Sequence, residues 1–183
     1  MKKLILGVFL LILTGGSFFV WTGVYNIAAT EKHWAVTNLL LELVRERSIE
    51  ARIENIIVPN LDDPDRIASA AVNYDEMCAM CHLAPGMETS EWYQGLYPQP
   101  PIFNKSDEDF DDHENREVFW VIKNGIKLTG MPAWGGSHND KEIWRLVAFI
   151  GKLKGMSASE YKNLTANKNA QSDQHENEPQ DTH

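Results

Sequence analysis

The sequence predicts an all-α protein, and three observations carry the prediction. Apolar residues recur at helical spacing in successive stretches of the chain. No alternation of apolar and polar residues persists long enough to make a strand. Breaks rich in proline or glycine, GLYPQPPIF and LTGMPAWGG among them, interrupt the helical pattern. The chain has 183 residues, 43 % of them hydrophobic, enough for one domain with accessory segments. Its formal net charge is −9, and residues 59–154 hold nine Lys and Arg against sixteen Asp and Glu. An acidic body argues against nucleic acid as a partner, because phosphate binding needs a basic face.

The first element is apolar throughout. Lys2 and Lys3 precede an uncharged run from Leu4 to Ala29. Such a run exceeds the ~30 Å hydrocarbon core as a helix. It predicts a transmembrane anchor over residues 1–29, with the two lysines cytoplasmic and everything after Ala29 on the outer face. Trp21 and Tyr25 suit the far interface. A cleaved signal peptide is the rival reading. Its apolar core would be shorter, and only Ile27–Ala29 offers a weak trace of a cleavage site.

Residues 30–63 predict a membrane-proximal amphipathic helical segment. Val36, Leu40, Leu43, Val44 and Ala51 fall near one face, and Ile49, Ile53 and Ile56 near another. The change around Arg45–Ser48 predicts either a kinked helix or two short ones, ended by Pro59.

Residues 64–154 form the predicted main domain. Asp63 and Pro64 suit a helix start, and Ile67, Ala70, Ala71 and Tyr74 follow helical spacing towards the cysteine pair. GLYPQPPIF must be extended. SDEDFDDHE reads as a solvated acidic loop, with the next helix starting at Glu114 or Asn115 and ending near Gly125. LTGMPAWGG is loop. A last helix follows Asp140, with Ile143, Leu146, Val147 and Ile150 on one stripe. Residues 155–183 are polar and are expected to be a disordered tail.

The chemistry lies in EMCAMCH. Cys78 and Cys81 are the only cysteines, and His82 follows directly. In C-x-x-C-H each thiol can add to one vinyl group of a haem, while the histidine reaches the iron from the same side. Other uses of the pair fit less well. A thiol–disulfide centre opens a helix after a strand, and here the pair closes a helix. A zinc site needs further ligands at a suitable spacing, and no second pair supplies them. The sixth position then falls to Met131. Met77 and Met80 belong to the histidine's own helix, and Met87 is too close in sequence to cross to the other side of a flat cofactor. Met131 sits 49 positions past His82 in a glycine-rich loop that can bend over the ring. His113 and His138 are weaker candidates.

EMCAMCH, LYPQPPIF, FWVIKNGIKLTGMPAW and EIWRLVAFIGKL together resemble the single-haem class I cytochrome c family, above all its membrane-anchored bacterial members. The likeness covers about residues 64–154. It implies one covalently bound haem c and a fold in which the first and last helices cross, with Ala71 and Tyr74 meeting Trp144, Val147 or Ala148. It also implies a proline carbonyl that accepts the Nδ1 proton of His82, either Pro100 or Pro101. Trp120 and Trp134 would wall the haem. The implied function is one-electron transfer between redox partners, membrane-bound oxidoreductases among them, at the periplasmic side of the bacterial inner membrane. The alternatives are a fixed haem subunit of a larger membrane oxidase or dehydrogenase, or a haem-based sensor or peroxide-reducing protein.

Overall fold

A computed structural model describes residues 1–105 and 112–166; of Pro64, Asp65, Arg66 and Asp112 it describes the backbone alone. The expected acidic loop falls largely on residues 106–111 and lies outside the described residues. Every regular element among the described residues is helical, in keeping with the class I cytochrome c fold. The chain divides into two compact units, Met1–His33 and a second beginning at Trp34.

The first unit is built on α1, Lys2–Thr22. At 1.5 Å per residue α1 is about 32 Å long. It is long and apolar enough to cross a membrane. Its two threonines turn their hydroxyls inward: Thr14 Oγ1 donates to Leu10 O at 2.8 Å, and Thr22 Oγ1 to Phe18 O at 2.9 Å. Both threonine hydroxyls are thereby satisfied within the helix. The helix stops earlier than the hydropathy of Leu4–Ala29 predicts. Gly23 adopts φ 60 and donates its amide to Val20 O, the left-handed ending that glycine allows.

The second unit holds the remaining helices. They are α2 (Ala35–Ile53), α3 (Pro64–Met77), α4 (Ala79–His82), α5 (Glu91–Gly95), α6 (Asp112–Asn124), α7 (Asp140–Leu153) and α8 (Ala158–Thr165). A 3-10 turn at Phe103–Lys105 precedes α6. The centre is the packing of α3 on α7. Ala70 and Ala71 are buried on α3, and such small side chains let the α7 backbone come close. Ile143, Leu146, Val147 and Ile150 fill the facing stripe, as their spacing predicts. The α7 start is a capping box of Asn139 and Glu142, one residue before the expected Asp140.

Four expectations need correction. Residues 35–53 form one unbroken helix, because no Pro or Gly interrupts them. It packs on α6 through Ile49 and Ile53, which are buried. Helix α6 starts at Asp112, before the expected Glu114. Tyr74 meets Phe149, at 5.4 Å between centroids, and Tyr161, at 6.5 Å, while Trp144 stacks on Phe119 at 4.2 Å and 12°. Finally, part of the expected disordered tail is folded. Ser157 and Glu160 close a capping box, and α8 carries Tyr161 into the core against α3. Tyr161, with Met156 and Leu164 packed beside it, supplies the apolar contact that average composition concealed.

Candidate haem-binding site

The motif sits where α3 gives way to α4. Cys78 N donates to Tyr74 O at 2.8 Å, which carries the end of α3 into the motif. Cys81 N and His82 N both donate to Cys78 O, at 3.0 and 2.8 Å, so Cys78, Cys81 and His82 share one turn. Leu83 then takes φ 59 and ψ 176, a left-handed ending at a buried leucine. The hydroxyl of Tyr74 donates to Leu83 O at 2.8 Å and holds that turn in place. Burial pushes the Tyr74 pKa up, so the hydroxyl stays a donor.

Of the two prolines, Pro101 is the partner of His82. Its carbonyl oxygen lies 2.9 Å from His82 Nδ1. With Nδ1 bonded there, Nε2 carries the free lone pair. The ring also stacks on Phe103, 4.8 Å between centroids and 18° apart. Burial lowers the His82 pKa against the opposing pull of the Pro101 bond, which favours the neutral imidazole that a metal needs. Next to this stack, Asn104 Oδ1 is buried with no hydrogen-bond partner. Such an atom leaves polar capacity for a bound group.

Both cysteines are free of a disulfide. Burial, then the neighbouring Cys81, push the Cys78 thiol up to about 12. A reactive redox thiol is lowered instead, so the thiol–disulfide reading loses ground. A zinc site fares no better. Among the described residues, no group of three or more His, Cys, Asp and Glu stands close enough to hold a metal ion. Two thiols, a neutral imidazole with its Nε2 open and an unpaired buried polar atom suit a covalently attached haem.

Met131 lies in the loop after α6, partly buried against the core. The loop is tightly fixed. Thr129 Oγ1 donates to Ile126 O at 2.8 Å and accepts from Met131 N at 3.1 Å. Ile126 N donates to Met131 O at 3.2 Å. Trp134 N and Gly135 N then cap α6 by donating to Ile122 O and Lys123 O, at 3.0 and 2.9 Å. Gly125, at φ +66, is the hinge; a Cβ there would stand 2.8–2.9 Å from backbone atoms of Met131, Pro132 and Ala133.

The other sequence candidates sit as follows. Trp134 packs partly buried on the core and meets His138 edge-on at 5.6 Å. Trp120 lines a cleft of about 400 Å³ with Ile56, Ile57, Lys123 and Trp144, none of which belongs to the motif segment. Pro100 makes way for Pro101 as the histidine's partner. His113 bonds Glu50 on α2, and His138 bonds Ser137. Tyr74 and Asn104 are the positions that sequence reading missed in these roles. Both act through contacts that only the folded chain defines.

A helical fold with C-x-x-C-H at the end of one core helix and a fixed methionine loop after another defines a class of protein, the c-type cytochromes. Residues 65–150 match the model of a family described as cytochrome C oxidase, cbb3-type, subunit III; the match supports a c-type cytochrome domain, a family that binds covalently attached haem c, with Cys78 and Cys81 positioned for it. Neither the curated proteins nor the solved structures give a significant match. The domain is one for haem-based electron transfer, and the N-terminal helix fits a membrane-anchored type.

Proposed function

We propose that this chain is a membrane-anchored carrier of single electrons at the outer face of a bacterial inner membrane. The bond between His82 Nδ1 and the Pro101 carbonyl carries the reading, since it leaves Nε2 as an oriented ligand. In this reading Cys78 and Cys81 would hold the haem through thioethers, and His82 and Met131 would ligate its iron. When bound, haem c supplies one-electron redox chemistry. The residues do the rest. Tyr74 and Leu83 hold the turn that aims His82. Thr129 and the α6 terminus hold the methionine loop. Two side-chain ligands would keep small molecules off the metal, which disfavours the sensor and peroxide-reducing readings. A thioether ligand favours the reduced state, so a positive potential is expected.

Helix α1 anchors the domain, with Lys2 and Lys3 on the cytoplasmic side. The acidic body favours a redox partner with a basic patch. A second reading, a fixed subunit of a membrane oxidase, is favoured by the family description, which names a subunit of such an enzyme. Mild-detergent extraction of membranes that hold the full chain separates the two. A carrier elutes alone and titrates as a one-electron couple; a fixed subunit elutes with other chains at constant stoichiometry. Turnover of peroxide by the isolated chain would contradict both.

A further inference from the structure

Helix α2 has two apolar faces, and the domain uses one. Ile49 and Ile53 are buried against α6. The N-terminal half carries a second stripe, Val36, Leu39, Leu40, Leu43 and Val44, each 47–65 % exposed. At 3.6 residues per turn the two faces point about 130° apart. The exposed stripe is therefore no extension of the α6 contact. Nearly every residue from Ala35 to Arg47 is exposed, and none is buried. A free helix of that length is marginal in water without a surface to pack on.

We propose that this half of α2 lies in the membrane interface, its apolar stripe sunk into the boundary between headgroups and acyl chains. The inference rests on the reading of α1 as a membrane anchor. Two observations select lipid as the occupant. Only residues 23–34 separate α1 from α2, so α2 is the first long helix beyond the anchor, and a tether of that kind makes even weak partitioning effective. The half-helix is also electrically balanced, Glu42 and Glu46 against Arg45 and Arg47, where the body of the chain is acidic. An anionic lipid surface repels that body and tolerates this face, while a basic partner protein finds no net charge here to grip.

The test uses the full haem-loaded chain in phosphatidylcholine–phosphatidylglycerol vesicles. Nitroxide labels go on single cysteines in Leu40→Cys, Leu43→Cys, Asn38→Cys and Arg45→Cys, the native cysteines being held as thioethers. Flotation of each variant with the vesicles checks the anchor. The ratio of oxygen to water-soluble nickel-reagent collisions reports depth. It should be about threefold or more higher at positions 40 and 43 than at 38 and 45, the pattern of an interfacial helix. Equal ratios in protein that floats would overturn the proposal and leave the anchor standing. Spin–spin broadening that unlabelled protein dilutes away would replace lipid with a second copy of the chain. Protein that stays in the aqueous fraction would remove the anchor reading and this one with it.

Discussion

The Tyr74 hydroxyl and the Leu83 carbonyl are joined by a buried hydrogen bond of 2.8 Å that spans the whole C-x-x-C-H turn. Leu83 directly follows His82 and sits at φ 59. The bond therefore fixes a strained turn beside the proposed ligand. Tyr74→Phe keeps the ring on Phe149 and leaves the Leu83 carbonyl unpaired. The expected loss is about 1–3 kcal/mol of stability. A urea titration of haem-loaded protein reads it as a lower midpoint at unchanged slope, and an unchanged midpoint would show the bond to be idle.

Gly125 governs the methionine loop in the same local way. Any Cβ meets backbone atoms, which cannot step aside as a flexible side chain can, and φ +66 adds about 1–2 kcal/mol of its own. Gly125→Ala should weaken the far-red charge-transfer band that marks methionine–iron coordination. Gly136→Ala is the control, because a Cβ there meets open space. Equal bands in the two variants would detach Gly125 from the placement of Met131.

Tyr161 tests whether α8 belongs to the domain. Its ring is buried beside Tyr74 and Phe149, and its hydroxyl donates to Asp75 Oδ1 at 2.9 Å. Tyr161→Ala should remove about 3 kcal/mol or more, as large aromatic deletions do. Thermal unfolding of the haem-loaded chain measures it. A loss no larger than that of Lys162→Ala, on the exposed face of the same helix, would make α8 an ornament.

Much of the site was legible because it rests on short-range pattern. The C-x-x-C-H spacing, the spacing of Ile67, Ala70, Ala71 and Tyr74, and the glycine-rich loop at Met131 are local features. What stayed hidden depends on contacts distant in sequence. PQPP offers two adjacent carbonyls, and only the approach of the chain to His82 selects Pro101. Tyr74 meets Phe149 rather than Trp144 because the register of α3 on α7 sets which turn faces it. Helix α8 was hidden by averaging, since three apolar residues, Met156, Tyr161 and Leu164, hardly move the composition of a long polar stretch.

His113 adds a pH-dependent tie between α6 and α2. Its Nε2 stands 2.9 Å from Glu50 Oε2, and that bond, with Glu50, Glu114 and Glu117 near, raises its pKa above 6.5. A pKa raised on folding means that the stabilisation is complete below the unfolded value. It fades as pH rises through the folded one. Both groups are exposed, so the pair contributes about 0.5 kcal/mol or less. The difference in unfolding midpoint between the native chain and His113→Gln should be present below about pH 6 and fade as pH rises above it. A difference that grows with pH would reverse the assignment.

The ligation of iron by His82 and Met131 is decided by the visible spectrum of the full, haem-loaded chain, set beside that of Met131→Ala with and without carbon monoxide. The oxidised native protein should show a far-red band and the reduced one no response to carbon monoxide, with the band lost and carbon monoxide bound in Met131→Ala. A native protein that binds carbon monoxide, or a variant whose spectrum matches the native one, would contradict it.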